Sequence, residues 1–339
     1  MDSLLKDRII KRRLRLLQSK SHNAYRLIHG AGDGFKGFYL DRFGEYLLAS
    51  KGGSPSDPEK KLTLEWMSQL GCRGAYFKQL NRQVRKENIT TTSPRIWLGD
   101  QGPSETRIVE NDLHYQIRFD EGYSVGIFLD QRENRKRWLQ LRVGDQLKLE
   151  TQTPSSGEIL NTFSYTCPFS VCVAKAGLRA VSLDLSRKYL EWGRENFQLN
   201  ELDPDEHDFI YGDVFDWMRR FRKRGRKFSG IILDPPTFSK ASKNKKMFQA
   251  EKDYPELLKS ALDIIEPGGL ILACNNTAGW SPRSFESVIL QTLRKNNINP
   301  NGIQFCPQPA DFPVTMQTPQ YLKSVWIKID RMNSSSDLR

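Results

Sequence analysis

The feature that most constrains the fold of this chain is a regular alternation of strand and helix patterns that begins near residue 157. Five short apolar segments are typical of buried strands, and each is followed by a stretch with helical periodicity. This alternation predicts a parallel sheet with helices on both faces. The five segments are EILNTF, AVSLDL, DFIYGD, FSGIILD and GGLILACN.

The C-terminal part of the chain breaks that alternation. The segments IQFC and YLKSVWIKID have strand patterns, with no helix pattern between them. A reversed hairpin that closes an otherwise parallel sheet explains this ending. We therefore predict a mostly parallel seven-stranded sheet in a Rossmann-like α/β domain over residues 121–339.

A smaller, β-rich domain is predicted over residues 23–120. Short β-type segments separated by glycine fill residues 25–51, a helix is predicted from Glu59 to Leu70, and the alternation around Asn111-Asp112 predicts a hairpin.

Before this domain, residues 1–22 contain a predicted basic amphipathic helix. In that helix Leu5, Ile9 and Leu16 share one face, whereas Arg8, Arg12 and Arg15 share another. It is either an arm that grips nucleic acid or a docking helix with a solvated basic face.

The charge of the chain favours a polyanionic partner. Lysine and arginine number 52 against 40 acidic residues, which gives a formal charge of +12.

The five cysteines form no CxxC pair and have no nearby histidines, so we expect no metal site and a reducing compartment. No apolar run approaches the roughly 20 residues that cross a bilayer, and a cytoplasmic protein without a membrane partner is expected.

Acidic residues follow three successive predicted strands. Asp184 ends the second strand, where it could accept hydrogen bonds from two vicinal ribose hydroxyls, and Asp213 follows the third, where it could accept from an adenine amine. Asp234 ends the fourth strand. A nicotinamide-dependent enzyme is the rival hypothesis, but the chain lacks the GxGxxG element of that class.

The most informative motif is Asp234-Pro235-Pro236-Thr237-Phe238. Two prolines fix φ and hold the loop rigid, so that Asp234 and a backbone carbonyl are presented as acceptors. The ring of Phe238 could stack on an unpaired base, which is how an enzyme holds a base taken out of its helix. The alternative is a plain turn at a strand end, with Phe238 in the core.

Several segments resemble one family, the ribosomal RNA large-subunit methyltransferases that modify cytosine C5 or guanine N7 of 23S rRNA. They are LNTFSYTCPFSV, SLDLSRKYLEWGRENFQLNEL, ILDPPTFS, RLIHGAGDGFKGFYLDRFGEYLL and EGYSVGIFLDQRENR. The resemblance implies a class I methyltransferase fold, S-adenosylmethionine as cofactor and large-subunit ribosomal RNA as partner, bound in part by the β-rich domain. It leaves a homodimer open.

The resemblance also assigns site residues. Asp184 would bind the ribose and Asp213 the adenine, and Asp234 would border both the cofactor and the acceptor base. The lead-in helix and the loop after the first strand would border the rest of the cofactor, through Asp130, Gln131, Arg132, Phe163, Ser164 and Tyr165.

Two departures from the family pattern stand out. The basic residues 2–20 take the place of a small RNA-binding domain, and Cys167-Pro168 replaces a glycine and a small residue in the loop after the first strand. Glycine there permits unusual φ and close approach to the cofactor. We expect Cys167 to weaken cofactor binding or change the loop's shape, and a non-catalytic RNA-binding factor is the alternative that this invites.

The methylated atom is predicted from the run Cys274-Asn275-Asn276-Thr277. Cytosine C5 must be activated by a cysteine thiolate at C6, whereas guanine N7 already carries a free lone pair. The cytosine enzymes place their cysteine where this chain has Asn276, and the run resembles the Ser-Asn-Asn of the guanine-N7 enzymes. Guanine N7 is favoured, with Asp234, Pro235, Phe238 and Asn276 as catalytic residues. Cytosine C5 with Cys274 remains the alternative.

Two basic tracts are predicted to flank this site. They are Arg219–Lys227 and Lys240–Lys246, and the second follows the Asp-Pro-Pro motif directly. Either tract could instead be a solvated face.

Overall fold

A computed structural model describes residues 3–80, 93–121, 124–149, 157–239 and 248–329, apart from the side chains of residues 3–6, 238 and 239. The chain divides into two compact units. The first comprises Met1–Glu133 and Gln308–Pro319, and the second comprises Asn134–Pro307 and Gln320–Arg339. These units differ from the predicted division at residues 22 and 120, because the helix at the start of the chain packs into the first unit and the chain returns to that unit after residue 307.

The first unit is built on a five-stranded sheet whose strands lie in chain order. Only the pairing of the third and fourth strands is parallel, and a helix makes that crossover. The elements are α1 (Ser3–Leu17), β1 (Ala24–His29), β2 (Phe38–Phe43), β3 (Tyr46–Lys51), α2 (Asp57–Leu70), β4 (Gly74–Gln79), β5 (Arg95–Gly99), β6 (Thr106–Glu110) and β7 (Leu113–Ile117).

The predicted hairpin is confirmed between β6 and β7. Asn111 and Asp112 have φ of 53° and 61°. Two successive residues with positive φ are what a tight two-residue turn between antiparallel strands requires, and asparagine and aspartate tolerate that conformation best after glycine.

Helix α1 packs into the first unit along one of its sides. Ile9 is fully buried in the core of the first unit. Arg13, which shares that buried side, places Nη2 2.5 Å from Asp33 Oδ2, and Arg12 places Nη1 3.0 Å from Asp33 Oδ1. Arg12 is therefore engaged within the protein, which contradicts its predicted place on a solvated face with Arg8 and Arg15. Those two arginines are exposed.

Residues 308–319 are held in the first unit by a buried carboxylate. Asp311 is fully buried, and its oxygens accept from Nη2 of Arg132 at 2.6 Å and Nη1 at 3.1 Å. The second oxygen also accepts from the backbone N–H of Arg26. The adjacent guanidinium of Arg132 outweighs burial and holds the pKa of Asp311 below its usual range.

The second unit contains the predicted alternation of strands and helices. Its elements are α3 (Arg132–Gln140, which begins in the last two residues of the first unit), β8 (Arg142–Val143), β9 (Leu147–Lys148), β10 (Glu158–Thr162), α4 (Pro168–Lys175), β11 (Arg179–Asp184), α5 (Arg187–Gln198), β12 (Asp208–Tyr211), α6 (Val214–Lys223), β13 (Phe228–Leu233), β14 (Phe238–Ser239), β15 (Phe248–Gln249), α7 (Ala250–Leu262), β16 (Ile265–Asn275), α8 (Pro282–Lys295), β17 (Pro300–Cys306) and β18 (Lys323–Ile329).

The predicted seven-stranded sheet is confirmed, with the order β12-β11-β10-β13-β16-β18-β17. The first five strands in that order are parallel to their neighbours, and β18 is antiparallel to both β16 and β17. The C-terminal strands therefore form the reversed hairpin that the sequence predicts. Within the part of the chain that the structure describes, no helix is long and apolar enough to cross a membrane.

Candidate active site

Five parallel strands of the second unit end at one edge of the sheet, which we call the site edge. Parallel strands carry their carboxyl ends on the same side, and ligands of open α/β sheets bind there. Asp184 ends β11, Asp213 follows β12 and Asp234 follows β13. The three carboxylates that the sequence singles out therefore lie at one edge, as a single site requires.

The loop after β10, residues 163–167, has an unusual backbone. Phe163, Tyr165 and Cys167 have φ of 53°, 52° and 61°, a left-handed conformation that costs a non-glycine residue about 1–3 kcal/mol. Backbone hydrogen bonds compensate for it: the N–H of Ser164 donates to Leu183 O at 3.1 Å, and that of Cys167 donates to Ser164 O at 2.8 Å. The loop is thus held rigidly against β11.

Cys167 takes the backbone conformation in which glycine is favoured. It precedes Pro168 at the first position of α4, and its side chain is fully buried. A Cβ on Gly193 of α5 would lie 2.5 Å from Sγ of Cys167, so the missing side chain at Gly193 leaves room for the thiol. Burial raises the pKa of Cys167 to about 12, which keeps it a neutral thiol. This chain therefore adopts the left-handed conformation without glycine, and the expectation that Cys167 weakens cofactor binding or changes the loop's shape stays a prediction.

Asp184 joins this loop to the start of α5. Its Oδ2 accepts from the N–H of Tyr165 at 2.9 Å, and its Oδ1 accepts from that of Ser186 at 2.8 Å. Burial outweighs these bonds and raises the pKa of the carboxyl above its usual value. A carboxylate oxygen has two lone pairs, so each oxygen can accept a second bond. Asp184 can therefore bind two vicinal hydroxyls, which fits the ribose of a nucleoside.

Asp213 is fixed at the site edge as the cap of α6. Its Oδ1 accepts from the N–H of Asp216 at 3.0 Å. Between Asp184 and Asp213, two apolar side chains are unusually exposed: Leu185 at 37 % and Tyr211 at 50 %. The sequence interpretation missed both, although each adjoins a predicted ligand. An apolar or aromatic surface there suits the face of a purine.

The Asp-Pro-Pro motif meets the end of β16 through its threonine. Thr237 Oγ1 donates to Oδ1 of Asn276 at 2.9 Å, so two of the predicted catalytic elements are in direct contact. Pro235 is buried and Pro236 is exposed. The backbone of Phe238 pairs with Gln249 in a short ribbon, while its predicted stacking ring lies outside the described side chains.

The last residue of β16 and the two residues after it form what we call the acceptor turn, residues 275–277. Asn275 is fully buried, and its Oδ1 accepts from the N–H of Thr277 at 2.9 Å. Among the described residues, no hydrogen-bond partner reaches Nδ2 of Asn275. Asn276 is exposed at the site edge. The turn thus presents one amide to solvent and holds the other inside.

Cys274 lies away from this exposed surface. It is fully buried, with Sγ 3.9 Å from Nδ2 of Asn134 in α3 and 3.7 Å from Oγ of Ser324 in β18. The thiol of Cys274 is therefore enclosed by other protein groups. The alternative in which Cys274 acts as the nucleophile stays a prediction.

The lead-in residues lie in the first unit. Leu129–Gln131 form a single helical turn, in which Gln131 is buried. The guanidinium of Arg132 is almost completely buried and holds Asp311, as described above. The expectation that Asp130, Gln131 and Arg132 border the cofactor stays a prediction.

The end of the first basic tract does not flank the site, contrary to prediction. Arg226 binds Oε2 of Glu158 at 2.9 Å and Oδ2 of Asp208 at 2.6 Å, and these acidic residues begin β10 and β12. This end of the tract therefore lies at the opposite edge of the sheet, because α6 runs back from the carboxyl end of β12 to the amino end of β13. A five-residue strand separates the two edges by about 16 Å. The second tract, Lys240–Lys246, lies outside the described residues.

Comparison with known proteins is consistent with this geometry. The sequence profile of a family described as S-adenosylmethionine-dependent methyltransferases matches residues 27–313. A solved structure, that of SMU.776, provisionally described as a methyltransferase and complexed with S-adenosylhomocysteine, is 30% identical, with a TM-score of 0.79 over 96% of this chain and 80% of that chain.

Two relatives carry names that mention ribosomal RNA. YwbD of Bacillus subtilis, provisionally named a ribosomal RNA large subunit methyltransferase, is 30% identical over 93% of this chain and 77% of its own length. Ribosomal RNA large subunit methyltransferase I of Escherichia coli is 27% identical over 91% of this chain and 75% of its own length.

Proposed function

Because the chain belongs to the S-adenosylmethionine-dependent methyltransferase family, we propose that it methylates a base of large-subunit ribosomal RNA, with guanine N7 as the favoured atom. The protein is an enzyme and S-adenosylmethionine is its cofactor. The choice of RNA rests on the names of its relatives and on its formal charge of +12, which suits a polyanionic substrate.

The donor side of the proposed site is the loop 163–167 with Asp184 and Asp213. The cofactor supplies an electrophilic methyl group on a sulfonium. Asp184 would accept from the ribose hydroxyls, Asp213 would accept from the adenine amine, and Leu185 and Tyr211 would cover the purine faces. We retain Phe163, Ser164 and Tyr165, together with the lead-in residues, as further contacts of the cofactor.

The acceptor side is the Asp-Pro-Pro motif with the acceptor turn. Asp234 and the carbonyl of Pro235 would accept hydrogen bonds from the Watson–Crick edge of a guanine, and Asn276 would donate its amide to O6. Phe238 would stack on the base. N7 has a lone pair and no proton to lose, so the task of these residues is orientation and not base catalysis.

The observation that carries the proposal is the contact between Thr237 and Asn276. This contact joins the Asp-Pro-Pro motif to Asn276, at the position where a cytosine-C5 enzyme needs an accessible thiol. The thiol of Cys274 is buried elsewhere. N7 transfer requires neither a proton acceptor nor an enzyme nucleophile, because the lone pair of N7 is itself the nucleophile.

The test is to compare the modified nucleosides of large-subunit RNA from a deletion strain and its parent by mass spectrometry. We expect the deletion to remove one 7-methylguanosine, and the purified enzyme to restore it on the unmodified RNA. Loss of a 5-methylcytidine would overturn the choice of atom, and an unchanged RNA would overturn the choice of substrate.

The remaining expectations complete this proposal. Residues 23–120, helix α1 and the tract Lys240–Lys246 would contact RNA phosphates, in support of the catalytic domain over residues 121–339. A cytoplasmic location is proposed because ribosomal RNA is the proposed substrate, and a homodimer stays an open alternative.

A further inference from the structure

The acceptor turn is supported by a lysine that the sequence interpretation did not single out. Lys323 is the first residue of β18 and pairs with Asn275 at the end of β16. It is fully buried, and its Nζ donates to the carbonyl of Thr277 at 2.7 Å. A buried ammonium is costly to place in a protein, and its presence beside a proposed active site calls for an explanation.

Both backbone polar groups of Thr277 are held by side chains. The N–H donates to Oδ1 of Asn275 at 2.9 Å, and the carbonyl accepts from Lys323. Asn276 and Thr277 lie beyond the last ladder pair of β16, so these two side-chain bonds hold the backbone where strand pairing has ended. Asn276 lies between Asn275 and Thr277 and is fixed by them.

We propose that Lys323 is a positioning residue for methyl transfer: it fixes Asn276 through Thr277, and the Asp-Pro-Pro motif through the contact of Asn276 with Thr237. This inference rests on the proposed function for its catalytic consequence. Lys323 touches neither cofactor nor base in this scheme. It sets the distance and angle at which the acceptor base meets the methyl group, where small displacements have large effects on rate.

The electrostatic setting of Lys323 supplies an independent readout. Burial lowers the pKa of Lys323 to about 8, and the carboxylate of Glu251 opposes that shift. As pH rises through this value the ammonium becomes a neutral amine, which is a weaker donor to the Thr277 carbonyl.

The experiment compares Lys323→Met with Lys328→Met. Lys328 is a matched control, because it also lies on β18 and donates to a backbone carbonyl, that of Lys148 at 2.6 Å. Methyl transfer to unmodified large-subunit RNA, cofactor affinity by calorimetry and thermal stability are measured for both. For Lys323→Met we expect kcat to fall about 10- to 100-fold, with unchanged cofactor affinity and no loss of thermal stability. Lys328→Met should match the wild type.

Two further readouts separate positioning from a general structural role. The kcat of the wild type should decline as pH rises through the pKa of Lys323, whereas the low kcat of Lys323→Met should show no such decline. The amide of Thr277 should exchange with deuterium faster in Lys323→Met than in the wild type, a result that does not depend on the substrate. If the wild type methylates no ribosomal RNA, the proposed function fails, and the exchange measurement still tests the turn.

Three results would overturn the inference. They are an unchanged kcat in Lys323→Met, a parallel loss of kcat, cofactor affinity and thermal stability, and unchanged exchange at Thr277.

Discussion

The donor and acceptor sides of the site are built from the same sheet edge by different means. On the donor side, backbone groups do most of the work: three left-handed residues shape the loop 163–167, and the N–H groups of Ser164, Tyr165 and Cys167 donate to neighbouring acceptors. On the acceptor side, side chains bind one another or cap the backbone, as Thr237 does with Asn276 and Asn275 does with Thr277. The geometry of the donor side therefore depends on the backbone conformation of its loop. The geometry of the acceptor side depends on which side chains are present.

This difference suits the chemistry of the two ligands. A cofactor is constant, so a rigid backbone cradle can serve it unchanged. The acceptor base and its surroundings vary between RNA targets, and side chains at Asn276 and Thr237 can change without rebuilding the fold. We expect substitutions on the acceptor side to alter rate, and substitutions on the donor side to alter cofactor affinity or stability.

The largest expected effect is on the acceptor side. Asp234→Ala should lower kcat by about 10²–10³-fold, because a preorganised polar contact to the reacting base is lost. Its affinity for S-adenosylmethionine, measured by calorimetry, should stay near that of the wild type. Asp263→Ala, which removes a carboxylate bound to Arg222 at the opposite edge, serves as the control. Full activity in Asp234→Ala would remove Asp234 from the site.

The second effect is on the donor side and depends on pH. Protonation of Asp184 removes its charge, so cofactor affinity should fall as pH is lowered, and the raised pKa makes this fall begin at a higher pH than for an ordinary aspartate. At neutral pH, Asp184→Asn should weaken binding about 10- to 100-fold, by loss of hydrogen bonds to a charged acceptor, and should abolish the pH dependence. Calorimetric titrations across the acidic range provide the measurement. A flat wild-type profile would contradict the assigned role.

The third effect tests how the donor loop is accommodated. Alanine usually stabilises a helix relative to glycine by about 1 kcal/mol, but Gly193→Ala should lower the free energy of unfolding by about 1–3 kcal/mol, since its Cβ meets the Cys167 thiol. Denaturant titration provides the measurement. The double variant Cys167→Gly/Gly193→Ala should recover the loss. If Gly193→Ala stabilises the protein, the thiol does not occupy that space.

The smallest effect distinguishes the two acceptor atoms. Cys274→Ser should retain methyl transfer within about twofold of the wild type, because N7 chemistry needs no thiolate and serine preserves the small polar side chain. The measurement is the initial rate of methyl transfer. Loss of activity in this variant, with an intact fold by circular dichroism, would revive the cytosine-C5 mechanism.

Local patterns were sufficient to predict the main strands and helices of the second unit, the hairpin at Asn111-Asp112 and the site edge. The alternation of strands and helices, the turn at Asn111-Asp112 and the reversed hairpin follow from periodicity and turn chemistry. Asp184, Asp213 and Asp234 could be placed together because parallel strands share an edge. These features depend on residues that are near one another in sequence.

The features that escaped prediction depend on pairs far apart in sequence. Nothing near Cys167 shows that Gly193 makes room for its thiol, and nothing near Lys323 shows that the carbonyl of Thr277 needs a donor. The whole basic tract ending at Lys227 was placed at the site because charge density does not show in which direction the chain runs, whereas α6 carries the end of the tract to the other edge. Arg12 was assigned to solvent although Asp33 binds it.

The return of residues 308–319 to the first unit has a consequence for dissecting the gene. A fragment that begins at Asn134 would retain Asp311 but lack Arg132, Arg26 and Arg13, which contact its carboxylate or its backbone carbonyl. A carboxylate that is buried in the whole chain would then have no cation. A recombinant protein that contains the second unit alone must lack this segment and join Pro307 to Gln320. A chimaera with a relative therefore cannot exchange one unit cleanly by a single junction in the chain.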